Sequence, residues 1–395
     1  MVKVLKIFDL VFFKNYNILN KGRKMSILKN LTYVLDVGSS KISLLACYAQ
    51  KGKSAIVTSI DKPYDGFMDG EFFSIEQVKE VIQYLLSQMK TRLNKSIEAV
   101  HIGIPSEFSA CVCKRVTRNF VPAKRIDDKE VANMFDGIND FGQKDDYIVA
   151  SFSPLQYQLD GNVVSMLTDK RVSQFIMDCS YILVKKQFVE TMQNIFNSCG
   201  IKDIDFISTA LAQAQFAINQ LEDKLKPIVV VDVGHITTSV AVAKGEGLLM
   251  LSSFSLGGGH ITADLMQVNN LSYLDADSIK RKVSLTVQSK RDERYIVYNN
   301  SQQVKALINI TNDVVKARIE NIANVVNRVL EANNDFKDLP IYLTGDGVCN
   351  FRGIINLFEA ITSRRVNILK SPLHNDEDKY QTSKISLVQI IENLV

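Results

Sequence analysis

The chain has no tryptophan, only four histidines and seven prolines among 395 residues. It also lacks any apolar run of the roughly 18–20 residues that a membrane-spanning helix needs. With only four histidines, no zinc site and no Ser-His-Asp hydrolase triad is recognisable. Six cysteines, at 47, 111, 113, 179, 199 and 349, show no metal-ligand spacing and are expected to be reduced, buried thiols of a cytoplasmic protein. Cys111 and Cys113 alternate along an apparent strand, so their sulfurs should share a face. The net charge of +4 is also local: residues 1–24 carry six Lys or Arg against Asp9, a charge of +5 that leaves the remainder at −1. No basic face for nucleic acid is left.

Residues 1–24 precede the first strand and admit three readings. Val4, Phe8, Val11 and Phe12 can form the apolar face of an interfacial helix flanked by lysines. A signal peptide is disfavoured by Asp9 within the apolar run and by the lack of a small-residue cleavage site. A start codon placed too early is the third, because Lys21-Gly22-Arg23-Lys24 before Met25 is what a purine-rich ribosome-binding site encodes when translated.

What is present is a duplication. Val34-Leu35-Asp36-Val37-Gly38-Ser39-Ser40 recurs 196 positions later as Val230-Val231-Asp232-Val233-Gly234 with Thr237-Thr238. Each copy is a buried strand, an aspartate, a glycine turn with hydroxyls and a returning strand. Such a turn lets backbone N–H groups approach phosphate oxygens. Ser39, Ser40 and Lys41 add donors and positive charge, and Asp36 and Asp232 can hold the hydration shell of Mg²⁺. One copy alone would be an ordinary hairpin; two in sequence argue for a paired phosphate clamp.

Around these turns the periodicity predicts a helix over 74–95 with Ser74 as N-cap and an apolar stripe from Ile75 to Met89. Strands are expected near 99–104, 146–149, 181–184, 228–232, 239–243, 248–254, 340–344 and 366–369. Helices are expected at 188–199, closed by Gly200, and at 209–221, 314–330 and 383–394. The run Gly257-Gly258-Gly259 should open a helix from Ile261, its N-terminus forming an anion site. Residues 275–330 read as charged and helical, with strand patches near 283–287 and 295–298.

These residues carry a resemblance to the bacterial cell-division family FtsA over about 33–395. Asp36 to Lys41 resembles the family's first phosphate motif, and Asp232-Val233-Gly234 with Thr237-Thr238 its second. Leu256-Gly257-Gly258 followed by His260-Ile261-Thr262 and Asp264, Lys280 on the nucleoside side, and Leu343-Thr344-Gly345 with Gly347 as the adenosine turn are similar to further family segments. The resemblance implies an α/β, actin-like two-lobed fold with duplicated ribonuclease-H-like cores and an inserted 1C subdomain of SHS2 type. The implied division is 1–31 as an N-terminal extension; 32–100 and 186–226 as subdomain 1A; 101–185 as 1C; 227–264 and 336–395 as 2A; and 265–335 as 2B.

The resemblance also implies an ATP- and Mg²⁺-binding scaffold that polymerises, binds FtsZ and other divisome proteins, and works at the cytoplasmic face of the division-site membrane, with at most slow hydrolysis. A PilM-like pilus-assembly adaptor and a phosphotransferase or ATPase of the same superfamily are the alternatives. The chain departs from the family pattern in several places. His235 and Ile236 replace glycines of the second turn, Asp346 replaces a glycine of the adenosine turn, and Asn321 stands where relatives often carry glutamate. The Pro-x-Gly-Met-x-Gly segment of 1C is absent near 165–175. The family's terminal membrane helix is not found after residue 394, so membrane contact would fall to the N-terminal extension or to a partner.

Overall fold

The computed structural model describes residues 31–50, 53–135, 141, 146–164, 167, 171–287, 289–299, 302–372 and 379–392. The readings of residues 1–24 lie outside the described residues. The chain divides into two units, one holding the chain up to Pro227 with Ala241–Ser252 and the chain from Ser383 on, the other Ile228–Val240 and Ser253–Thr382.

The first unit opens with β1 (Thr32–Val37), β2 (Lys41–Gln50) and β3 (Lys53–Pro63), a meander of antiparallel neighbours. A two-stranded ribbon, β4 (Phe67–Met68) and β5 (Glu71–Phe72), leads to α1 (Ile75–Leu93). Ser74 caps α1 as its spacing predicts, its hydroxyl accepting the Gln77 N–H at 3.2 Å. Val78, Val81, Ile82, Leu85, Leu86 and Met89 are buried, each contributing roughly 2 kcal/mol of apolar burial. Ile75, expected in the same stripe, is instead 48% exposed.

β6 (Ala99–Ile104) then adds in parallel beside β1. β7 (Ser109–Arg125), α2 (Asp128–Phe135), β8 (Tyr147–Leu159), β9 (Asn162–Val164) and β10 (Arg171–Lys185) form a separate four-stranded sheet of order β7-β10-β8-β9. This sheet has its own core, centred on Phe135, Phe152, Phe175 and Tyr181. The short strands expected at 146–149 and 181–184 are thus pieces of much longer ones. α3 (Lys186–Ser198) stops at Gly200, whose φ of +80° is open to glycine. β11 (Asp203–Ser208) joins β6 in parallel, and α4 (Thr209–Ile218) follows. The first sheet therefore runs β3-β2-β1-β6-β11.

The duplication in sequence is a duplication in topology. β12 (Ile228–Val233), β13 (Thr238–Lys244) and β14 (Gly247–Phe254) are followed by α5 (Gly258–Asn269), α6 (Tyr273–Lys280), β15 (Arg294–Asn299), β16 (Gln302–Leu307), α7 (Ile308–Glu331), β17 (Ile341–Thr344), α8 (Ile354–Thr362), β18 (Val366–Ile368) and α9 (Thr382–Glu392). The second sheet has the order β14-β13-β12-β17-β18, again three consecutive strands and then two parallel ones.

Two expectations here are corrected. Residues 283–287 form no strand beyond a single bridge, Ser284 to Arg352, and the true hairpin is β15 with β16. α7 begins at Ile308, six residues before the expected Val314, because its first buried positions are Thr311 and Asn312. Asn312 is satisfied there by accepting from the Tyr295 hydroxyl at 2.9 Å and donating to the Ser284 carbonyl at 3.0 Å, so a polar residue occupies a core position and hides the apolar period.

Candidate functional site

In the first unit, the turn between β1 and β2 is closed by the Gly38 N–H donating to the Lys41 carbonyl at 3.0 Å. Tyr64 braces it: its hydroxyl donates to the Gly38 carbonyl at 2.8 Å and its N–H to the Ser40 carbonyl at 3.1 Å. Strand register places Asp36 opposite Ser43 and Ser43 opposite Asp61, so the two carboxylates flank one serine across three strands. α9 supplies the partners. Ser383 donates to Asp36 at 2.7 Å, and the buried Lys384 ammonium meets both Asp61 oxygens at 3.0 and 2.9 Å.

Lys41, the expected phosphate cation, is drawn to Asp61 at 3.1 Å. Burial pushes the Asp36 carboxyl above its ordinary range, opposed by the Ser383 hydrogen bond and the charges of Lys384 and Lys41. Burial also acts on Asp61, but Lys384 and Lys41 outweigh it and hold that carboxyl down at about 2. Sequence reasoning missed Asp61, Tyr64, Ser383 and Lys384. Asp61 lay within reach through strand register, whereas Lys384 is more than 300 positions from its partner and carried no local signal.

The second unit repeats the turn, with the Gly234 N–H donating to the Thr237 carbonyl at 2.9 Å. Here three backbones converge. Gly258 N–H donates to the Gly234 carbonyl at 2.9 Å, Gly259 N–H to the His235 carbonyl at 2.7 Å and Gly347 N–H to the Val233 carbonyl at 2.9 Å. A Cβ at Gly258 would sit 2.5 Å from the Gly347 Cα, and one at Gly347 would sit 2.5 Å from the Gly234 carbonyl oxygen. Gly345, at φ +94°, turns the chain beside the Asp232 carboxylate.

This arrangement alters the expected roles of several residues. The N-terminus of α5, which begins at Gly258 rather than Ile261, is not an open anion site, because the second turn's own carbonyls take up the Gly258 and Gly259 N–H groups and His260 Nδ1 accepts from Gly257. Thr238 is fully buried and donates its hydroxyl to the Leu256 carbonyl at 2.6 Å, whereas Thr237 stays half-buried at the turn.

Lys280 is engaged by Asp277 at 3.0 Å, Thr262 Oγ1 at 2.8 Å and the Gly258 carbonyl at 3.2 Å, and burial lowers its pKa. Asn321 lies on the exposed side of α7, while Arg318 grips Asp264 with two hydrogen bonds of 2.6 and 2.8 Å. The His235 ring reaches Tyr273, Nε2 to hydroxyl 3.0 Å, and burial followed by the Lys280 charge favours its neutral form. Asp346 accepts a hydrogen bond from Gln381 and lies near Cys349, whose thiol is pushed up by burial and by Asp232 and Asp346. Among the described residues no three His, Cys, Asp or Glu side chains converge as a metal cage.

The profile of the family described as Cell division protein FtsA matches residues 229–386. The FtsA of Streptococcus pneumoniae serotype 2 (strain D39 / NCTC 7466) is 22% identical over 346 residues, covering 85% of this chain and 74% of that protein. The FtsA of Bacillus subtilis (strain 168) is 20% identical over 375 residues, covering 91% and 83%.

The chain is similar to FtsA proteins over most of its length.

Solved structures agree on the fold. The FtsA-like chain is similar to a chain of the PilM-PilN type IV pilus biogenesis complex, with a TM-score of 0.59 at 14% identity over 92% of this chain and 98% of that one. It is also similar to MreB 5 of Spiroplasma citri bound to AMPPNP, with a TM-score of 0.55 at 13% identity over 92% and 96%. The FtsA-like chain thus has an actin-like fold, and the repeated sheet order is its duplicated core.

Proposed function

We propose that this FtsA-like chain is a nucleotide-gated cell-division scaffold that binds ATP with Mg²⁺, assembles with copies of itself and links FtsZ and other divisome proteins to the cytoplasmic face of the membrane. The observation that carries the reading is the matched pair of turns, Asp36-x-Gly38 and Asp232-x-Gly234, each closed by the same glycine N–H to a carbonyl three residues on. Cell-division relatives in sequence and a nucleotide-bound relative in fold support it.

Within the first unit, Gly38, Ser39, Ser40 and Lys41 are the phosphate-binding residues of the proposal; within the second, Gly234 and Thr237 are their counterparts. Asp36 and Asp232 suit a hydrated Mg²⁺, since each stands two residues before its turn glycine and Asp36 is already aimed by Ser383. The ion would neutralise phosphate charge when bound. Lys280, Gly345 and Gly347 would line the nucleoside side, with Gly257 and Gly258 letting the start of α5 pack against the second turn. We read the sheet β7-β10-β8-β9 as the 1C insertion and 265–335, with its small core at Ile279, Val297 and Ala306, as 2B and the FtsZ-facing part. Membrane contact would run through the N-terminal extension or a partner; among the described residues no helix is long and apolar enough to cross a membrane.

Fluorescent ATP titration and co-sedimentation with FtsZ test the reading. The wild-type chain should bind ATP in a Mg²⁺-dependent way, and D36A and D232A should each lose that dependence. A wild-type chain that ignores nucleotide, or that fails to sediment with FtsZ in its presence, overturns the proposal. ATP turnover well above about one per second would point instead to an enzyme.

A further inference from the structure

The sequence reading places Cys111 and Cys113 on one face of β7, and the structure brings both thiols to a common point. Cys111 Sγ lies 3.2 Å and Cys113 Sγ 3.4 Å from the Leu248 carbonyl, and Cys113 also reaches the Leu249 carbonyl at 3.4 Å. Leu248 belongs to β14, which ends its sheet, so its polar groups need side-chain partners. Its N–H donates to Ser180 Oγ at 3.1 Å, and the two thiols serve its carbonyl. Cys113 is exposed and Cys111 half-buried, contrary to the expectation that the thiols are all buried.

We propose that Cys111 and Cys113 form a two-thiolate site for a soft monovalent cation of the copper(I) class. Alternation along the strand points the two sulfurs the same way, and their shared carbonyl contact holds them side by side. Paired sulfur donors select soft ions. Tetrahedral zinc would need four ligands, and among the described residues no third His, Cys, Asp or Glu completes a group with this pair. Exposure of Cys113 gives the ion a way in.

On binding, each thiol releases one proton and each sulfur donates one electron pair to the ion, so two protons leave and a complex of charge −1 remains. Arg115, next on the same face, is paired with Asp178 through 2.7 and 2.9 Å bonds, so the pair adds no net charge at the site. The thiolates can no longer donate, so the Leu248 and Leu249 carbonyls lose their partners and the β13–β14 hairpin tip loosens.

The test uses the full chain, reduced and anaerobic, competing for copper(I) with a chromophoric chelator. The wild-type chain should remove one ion per chain and develop thiolate-to-copper absorption in the ultraviolet. C111S and C113S should each lose that equivalent, C199S should keep it, and hydrogen exchange at 247–249 should rise on copper(I) addition in wild type only. Because Cys113 is exposed, C113S keeps the test decisive if C111S fails to fold. Retention of the equivalent by C113S, or no uptake by wild type, overturns the proposal.

Discussion

Asp61→Asn tests how α9 is held against the first turn. The substitution keeps the shape of the side chain and removes the charge that both Lys384 and Lys41 contact. The Asp61 carboxyl is lowered from 3.8 to about 2, and at 1.36 kcal/mol per unit this sets an upper bound of about 2.4 kcal/mol. A third of the side chain faces solvent, 33%, which screens part of the interaction. The expected loss at pH 7 is therefore about 1.5–2 kcal/mol.

The sign follows from a carboxyl depressed in the folded state. Its contribution is complete above the unfolded value near 3.9 and fades as pH falls through about 2. Urea unfolding of wild type and D61N, followed at pH 7, 5 and 3.5, should show a constant difference between the first two and a smaller one at the third. Lys384→Met should cost less, because methionine fills the buried volume while Asp61 keeps Lys41 and water. A D61N loss under about 0.5 kcal/mol, below even an ordinary exposed pair, or a difference that already shrinks between pH 7 and 5, would refute the reasoning.

Three further outcomes are expected. His101 is 3% exposed in β6 and its pKa is lowered to about 4 by burial, so the stability of the neutral ring is full above about 6.5 and falls as pH drops toward 4, by about 3 kcal/mol; H101L should flatten that slope in pH-dependent unfolding. Gly258→Ala forces a Cβ against the Gly347 backbone and should destabilise the second unit by about 2 kcal/mol, read from thermal unfolding. Ile236→Gly restores a bare turn and should tighten ATP binding several-fold in the same fluorescence titration, with unchanged affinity counting against steric crowding there.

Legibility in the sequence tracked how local the determining interactions are. α1 could be read almost to the residue because its cap and stripe lie within one segment. The paired turns were legible because each is a strand, a glycine and a strand. The start of α7 was not, because a buried asparagine satisfied by Tyr295 and Ser284 looks polar in sequence. Nor could sequence say that the glycines at 257–259 face their own chain, since a glycine run reads alike for a phosphate and for a neighbouring backbone. The Lys384–Asp61 pair was invisible for a third reason: a lysine in an amphipathic helix is usually a solvated one, and only the tertiary fold makes it a core residue.

The convergence of three backbones in the second unit makes the turn at Gly234 a mechanical hub. The carbonyls of residues 233, 234 and 235 are bonded to Gly347 and to the first two residues of α5. α5 is bonded onward, to α6 through Lys280 and to α7 through Asp264 and Arg318. A shift of the turn presses on its neighbours, because Gly257 and Gly347 are packed against its backbone so closely that a Cβ would not fit. It must be passed to the helices as a rigid displacement, so whatever occupies the turn sets the posture of α6 and α7.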